Sequence, residues 1–424
     1  MNDMSKFAAK VKKYIPSWVK NTLKKWLHLI RKKKMLRKHK TVLPYNLQKY
    51  ENGINLIGDI QAETGLGQSM RILASVLEKN DIPFDIVQIS QPGDLKSDNH
   101  EWDNRITTQP KYNINLLHIN ASEWAEDYNI IDKKILDYRK NIAYWLWELE
   151  EFPRKWQPCI ETVDEIWAPS EFVCNSVRKC TDKSVRKLPY AIEIKKPEIS
   201  TRTYFGLPND AFLYLAMYDC HSISERKNPQ GMIRAFQMAF TPEYANSHKI
   251  GMILKVNHGE YENKLNTLKK ELREYRHIYF ITDVLTREEV YALEAVADVL
   301  ISLHRSEGFG LAVAEAMSLG TAVITTNWSA TTEFTTEETA CLVDYDLVVL
   351  EHAIGPYARG SRWADAHIDH AAGYMRKLYE NPEFRMNMEI KAQNYIHKHL
   401  NASSVGRILN GYLDLLKGEE NENN

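Results

Sequence analysis

Short apolar runs separated by helix-forming stretches recur along the chain, and this alternation constrains the fold more than any other feature. In the first half the runs are INLIGDI (54–60), DIPFDIVQIS (81–90), INLLHINA (114–121), NIAYWLWELEEF (141–152) and VDEIWAPS (163–170). In the second half they are AFLYLAMYDC (211–220), GMILKVN (251–257), HIYFITD (277–283), ADVLISLH (297–304) and TAVITT (321–326). Runs of this kind, apolar on both faces, suit parallel strands, and their alternation with helices predicts doubly wound α/β sheets. A chain of 424 residues exceeds one ordinary core and suits two domains. The polar, proline-containing segment EIKKPEIS (193–200) is the best boundary between them. The sequence therefore predicts two Rossmann-like domains facing across a cleft, at 41–196 and 197–384. Closing helices follow over 385–416, with a solvated tail at 417–424.

Charge is distributed unevenly. The net charge is −1, yet residues 1–40 hold 12 Lys and 2 Arg against one acid, Asp3, so the arm carries +13 and the rest −14. Within it, SWVKNTLKKWLHLIRKKK (17–34) places Trp18, Val19, Thr22, Leu23, Trp26, Leu27 and Ile30 on one helical face with lysines over much of the other. Pro16 and Ser17 mark its start. A basic amphipathic helix with tryptophans on its apolar side predicts an anchor on an anionic membrane surface; docking on the protein's own body is the other reading. Lysines interrupt the apolar face at every turn, which excludes a secretory signal. The acidic remainder argues against nucleic acid as a partner. Five cysteines, odd in number and without C-x-x-C spacing, indicate neither a disulfide framework nor a zinc site and fit a reducing cytoplasm.

The most informative stretch is SEGFGLAVAEAMSLG (306–320). It follows the ADVLISLH strand and precedes TAVITT, so it forms the loop and helix of a β-α-β unit, at the strand edge where open α/β sheets bind ligands. Gly308 and Gly310 let backbone amides approach an anion, and the helix start adds a favourable dipole. Glu315, one turn inside an apolar helix, needs hydroxyls or donors, which a ribose diol would supply; pointing to solvent is the alternative. Glu307 could accept from another polyol, steady developing positive charge or cap the helix. Upstream, SERKNPQGMIRAF (224–236) sets Arg226 and Lys227 ahead of a helix opened by Asn228 and Pro229, a place for cations that neutralise a diphosphate, although an Arg-Lys pair also suits a plain surface. GLGQ (65–68) marks a helix-opening turn. In YWLWELEEFP (144–153), Trp145, Trp147 and Glu148 suit a sugar acceptor, while alternate tryptophans also make core. DYD (344–346) lacks the context of a metal-binding Asp-x-Asp, and no essential metal or other cofactor is expected.

With these motifs in place, the chain resembles the family 4 retaining glycosyltransferases of the GT-B fold over roughly residues 50 to 400, most strongly from Asp219 to Glu333. The resemblance implies that Glu307 meets the donor sugar, that the amides of Gly308, Phe309, Gly310 and Leu311 meet its diphosphate, and that Glu315 meets the nucleotide ribose. The family commonly carries an arginine several residues ahead of the lysine. Here that region is 218–221, so its role passes to Arg226 or elsewhere. By resemblance the loop of Gly65 and Gly67 faces the donor phosphate and the acceptor, and His118 contacts the donor sugar, with Asn120 the alternative if the register differs by two. A core histidine fits the same residue. Similarity of SERKNP, SLHRSEGFGL and VDEIWAPSEFV to bacterial surface-polysaccharide transferases implies transfer of a hexose, mannose favoured, from a GDP- or UDP-linked sugar to a glycan or lipid-linked oligosaccharide. The place implied is the inner face of the cytoplasmic membrane, in capsule or O-antigen assembly. A GT-B-fold epimerase and a noncatalytic nucleotide- or glycan-binding scaffold are the competing readings.

Overall fold

A computed structural model describes residues 17–89, 99–219, 223–257 and 262–421. Residues 1–16 of the predicted 1–40 arm, Pro16 among them, lie outside it, as do Cys220 and residues 422–424. Two six-stranded sheets carry the chain. The first contains β1 (Glu51–Gly58), β2 (Phe84–Gln88), β3 (Tyr112–Leu117), β4 (Lys140–Tyr144), β5 (Glu165–Ala168) and β6 (Val185–Lys187), in the order β2-β1-β3-β4-β5-β6. The second contains β7 (Phe212–Asp219), β8 (Ile250–Asn257), β9 (Ile278–Ile281), β10 (Val299–Ser302), β11 (Ala322–Thr326) and β12 (Cys341–Val343), in the order β12-β11-β10-β7-β8-β9. Both are parallel with helices between strands, the α/β architecture that the alternating runs predict. The strand order turns at β1 and β3 in one sheet and at β7 and β10 in the other. These are the edges where loops gather.

Two compact units result. One comprises residues 1–70, 82–145 and 154–166; the other comprises 71–81, 146–153 and 167–424. In the second, Tyr214, Phe236, Met252, Leu254, Ile301 and Ile324 belong to one buried core. The polar segment at 193–200 is tied within this unit: Ile192 N–H donates to Leu400 O at 2.6 Å, and Glu193 Oε1 accepts from Ala402 N–H at 2.6 Å.

Several expectations change. The NIAYWLWELEEF run ends as a strand at Tyr144, because the residues after it leave the ladder. An antiparallel hairpin, β13 (Tyr345–Val349) with β14 (Arg362–Ala366), was not foreseen. Two closing helices form, Pro382–His399 and Ala402–Asn421, and the second makes residues 417–421 helical where a solvated tail was expected.

Over its described residues the arm is helical, Ser17–His39. Its C-terminal part docks on the first unit: Met35 is buried, Lys38 Nζ donates to Tyr128 O at 2.6 Å and to Ile131 O, and Arg31 meets Glu126 at 2.6 Å. Burial pushes the Lys38 ammonium down to about 8. Trp26, at 59% exposure, and Leu27, Leu29 and Ile30 face solvent. Trp18, Val19, Thr22 and Leu23 fall outside the described side chains. Among the described residues no helix is long and apolar enough to cross a membrane.

Three asparagines cross the first sheet at matched register. Asn55 Nδ2 donates to Asn115 Oδ1 and Asn115 Nδ2 to Asn141 Oδ1, each at 2.8 Å, on strands where Asn55 pairs Asn115 and Asn115 pairs Asn141. Asn115 Nδ2 also donates to Ile135 O at 2.8 Å. Asn115→Ala removes the middle of this ladder and leaves buried polar atoms on both sides without that partner, at about 1–3 kcal/mol each. Urea unfolding of the variant is expected to show a midpoint lowered by a loss of about 3 kcal/mol with unchanged slope; an unchanged midpoint would refute a stabilising ladder.

Candidate active site

The second unit brings two loops together beside β10. After Ser302 the chain runs through His304, Ser306 and Glu307 to Gly310, which adopts φ +97° and caps the Leu311–Leu319 helix. Both loop glycines are required by close approach. A Cβ at Gly308 would stand 2.7 Å from Trp147 O, and one at Gly310 would stand 2.5 Å from Thr331 Cγ2. Ser306 Oγ donates to Glu148 O, Ser170 Oγ donates to Gly308 O at 2.7 Å, and Glu307 N–H donates to Ser329 Oγ at 2.9 Å. The opposing loop carries Arg226 and Lys227 on a short helix, Ser224–Lys227. Asn228, at φ +55°, ends that helix, accepts from Gly231 N–H at 3.1 Å to cap the next, and donates to Leu303 O at 3.0 Å. One side chain thus fastens the two loops.

Their charges converge on Glu307. Its Oε1 meets Lys227 Nζ at 2.5 Å and Arg226 Nη1 at 3.0 Å. Arg226, 5% exposed, also donates to Ser306 O at 2.8 Å and lies 3.9 Å from Glu148. Burial alone would push the Glu307 carboxyl up, but Arg226 and then Lys227 override it and hold it well below the usual carboxylate range. Lys227, with 27% of its side chain exposed, is the cation of the pair that reaches solvent. Behind them His304 is fully buried, with Nε2 3.2 Å from the hydroxyls of Thr325 and Thr331. Burial pushes its imidazole down to about 4, so it is neutral at neutral pH. Of the segment 218–221, where the resemblance implies an arginine, residues 220 and 221 lie outside the described residues.

Glu315 is buried on its helix and pairs with Arg287, whose guanidinium lies 4.5 Å from the Tyr291 ring centroid. Sequence reasoning missed Arg287: the TREE segment signals a capping box, which forms at Thr286 and Glu289, and nothing local signals a partner for Glu315. It also missed Glu294, a fully buried carboxyl on the same Arg287–Val296 helix whose two oxygens have no hydrogen-bond partner among the described residues. Phe309 contributes its ring to packing on Tyr190, 4.8 Å between centroids, and Leu311 opens the helix.

In the first unit, Gly65 and Gly67 open the Gly65–Lys79 helix. Gly67 N–H donates to Thr64 Oγ1 at 3.1 Å, and a Cβ there would collide with Ala62 O at 2.0 Å. His118 is buried, 2.7 Å from Ser69 Oγ and stacked on Tyr144 at 5.3 Å; burial pushes it down to about 4. His118 and Asn120 line the same cavity of about 230 Å³ together with Gly67, Glu123 and Asp127. The expected aromatic acceptor surface does not form. Trp145 is 0% exposed and packs edge-on against Trp124 in this unit, while Trp147, in the second, is buried and donates to Glu151 O at 2.9 Å. Both rings are core, and Glu148 alone of the three is half-buried. Asp344 and Asp346 of DYD pair with His370 and His367, at 3.2 and 3.1 Å. Among the described residues no group of three or more His, Cys, Asp or Glu is placed to hold a metal ion.

Residues 217–395, which include both loops, match the family of glycosyl transferases group 1. The chain is 31% identical over 134 residues to the O-antigen biosynthesis glycosyltransferase WclY of Escherichia coli, a match covering 32% of this chain. The chain spans about a third, 34%, of the length of that curated relative. A glycosyltransferase from Rickettsia africae superposes with a TM-score of 0.64 at 12% identity, covering 87% of this chain and 100% of that one. Anabaena Alr3699/HepE, crystallised with UDP and glucose, superposes at 0.60 and 12% identity over 86% of this chain and 100% of its own. The two-sheet architecture is the GT-B-like fold of these structures.

Burial pushes the Glu294 carboxyl from 4.5 up to about 8, against the pull of Arg287. An acid whose folded pKa is raised holds its proton in the native state after the unfolded chain has lost it, so native stability falls between those two values. Glu294→Met removes that penalty. Its gain in thermal midpoint over wild type is expected to grow from about pH 5 to about pH 8 and level off above; a gain independent of pH would refute the assignment.

Proposed function

We propose, from the group 1 glycosyltransferase segment over residues 217–395, that the protein is a retaining transferase. It moves a hexose, mannose favoured, from a GDP- or UDP-linked donor to a glycan or lipid-linked oligosaccharide in bacterial surface-polysaccharide synthesis. The observation that carries this reading is the convergence of Lys227 and Arg226 on Glu307 beside a helix start. Transfer from a nucleotide sugar leaves negative charge on the departing diphosphate. The solvent-reaching Lys227 and the first amides of the Leu311–Leu319 helix are suited to stabilise it, since preorganised donors in a closed site contribute several kcal/mol. Glu307, held ionised, accepts hydroxyls of the donor sugar and can steady oxocarbenium character at the anomeric carbon. Arg226, spent on Glu307 and Ser306 O, positions that carboxylate. Glu315 would bind the ribose diol by exchanging part of its pairing with Arg287. The bound UDP and glucose of the Anabaena neighbour and the O-antigen role of the Escherichia coli relative support the donor class and the pathway. No metal is assigned to the reaction. The exposed Trp26, Leu29 and Ile30 beside a lysine-rich arm support attachment to an anionic membrane surface at its cytoplasmic face.

Thermal melting with GDP, UDP, GDP-mannose, UDP-glucose and UDP-GlcNAc tests the donor. At least one nucleotide is expected to raise the midpoint of wild type, and less so for Glu315→Ala, because binding to the native state stabilises it by mass action. With that donor and an acceptor fraction, Lys227→Ala is expected to lose roughly 100- to 1000-fold in turnover, and EDTA to change nothing. Failure of every nucleotide to stabilise wild type would sink the transferase reading. For the arm, Trp26→Glu combined with Ile30→Glu is expected to abolish sedimentation with vesicles containing anionic lipid; retained sedimentation would refute the anchor.

A further inference from the structure

The chemistry above leaves a cavity of the second unit unused. It measures about 450 Å³, within the range of small-molecule sites. It lies between the Glu171–Arg178 helix and the turn of Trp328 and Ser329–Glu333. One wall is aromatic: Trp328 packs against Phe172 at 5.9 Å and Tyr345 at 5.3 Å between centroids. Two groups in its lining have buried polar atoms with no hydrogen-bond partner among the described residues, Ser176 Oγ, on a residue 1% exposed, and Trp328 Nε1. Such groups favour a ligand that supplies the missing partner.

Charge narrows the ligand class. The lining holds two carboxylates, Glu150 and Glu333, against one lysine, Lys179. All three are held by neighbours: Glu150 by Arg362 at 2.9 Å, Glu333 by Lys187 at 3.0 Å, and Lys179 by Glu151 at 2.7 Å. An anion would meet two carboxylates and a lysine already engaged by Glu151. A neutral polyol would meet aromatic faces for its C–H groups, fixed carboxylate acceptors for its hydroxyls, and the unsatisfied Ser176 and Trp328 groups. Ser329 lines the cavity and also receives the Glu307 N–H at 2.9 Å, so an occupant leans on the turn that fixes the catalytic loop.

We propose that this cavity is a carbohydrate subsite that seats one neutral sugar residue of the acceptor glycan, apart from the donor sugar. The assignment rests on the transferase reading. It makes the enzyme select acceptors by a residue other than the one that receives the transferred sugar.

The test uses full-length protein and saturation-transfer NMR with a panel of maltose, cellobiose, mannobiose and chitobiose. Wild type, Trp328→Ala and Asn175→Trp are compared. Asn175 is exposed on the rim, so its replacement fills the cavity without entering the core and covers the case in which Trp328→Ala fails to fold. At least one disaccharide is expected to bind wild type and to bind each folded variant at least tenfold more weakly, while nucleotide-induced stabilisation stays at the wild-type level. Disaccharide binding unchanged in Asn175→Trp, or no disaccharide binding to a wild type that a nucleotide still stabilises, overturns the subsite and leaves the transferase standing. A wild type that no nucleotide stabilises removes the transferase reading and the acceptor role with it.

Discussion

The guanidinium of Arg226 cannot shed its proton, and the fold buries it. That single fact organises the loops around it. A buried cation needs an anion in hydrogen-bond contact, and losing one partner of such a pair costs about 3–5 kcal/mol. Glu307 is that anion, and it is reached only because the loop after β10 passes close over Trp147, with no Cβ at Gly308 to hold it off. Lys227, next in sequence, meets the same carboxylate oxygen. The ionised state of Glu307 is therefore a product of folding, present before any ligand arrives.

Much of this architecture is legible in the chain. Runs such as AFLYLAMYD and ADVLISLH are apolar on both faces, and only a strand covered on both sides accommodates that; β7 and β10 form there. Where the reading overshoots, the reason is physical. Trp145 and Trp147 alternate as strand residues do, yet an extended loop with both rings buried has the same period of two, and sequence cannot separate the cases. The β13–β14 hairpin escaped because YDLVV is short, with only partial burial along it. The ladder of Asn55, Asn115 and Asn141 was invisible for another reason: each asparagine reads as a polar interruption of an apolar run until register sets the three side by side.

Within the site, the legible residues are those whose role is local. Gly308 and Gly310 announce a tight turn before a helix, and Asn228-Pro229 announces a helix start; both form as expected. Arg287 and Glu294 could not be found this way. Their significance comes from one helix packing against another, which places a guanidinium beside Glu315 across 28 residues of chain. The tryptophans after β4 show the converse, a suggestive local pattern that packing turned into core.

The docked arm sets a length. Met35 is buried in the first unit and Trp26 stands in solvent nine positions earlier on the same unbroken helix, and at 1.5 Å of rise per residue the separation is roughly 14 Å. Any flat surface that takes up Trp26, Leu29 and Ile30 is thus tethered to the first unit by a short rigid strut in place of a flexible leash. A protein so mounted samples a thin layer above that surface. Groups displayed within the layer would be met at high local concentration, and those carried far above it on long chains would pass out of range, so a helix seated on such a surface would act as a ruler for reach.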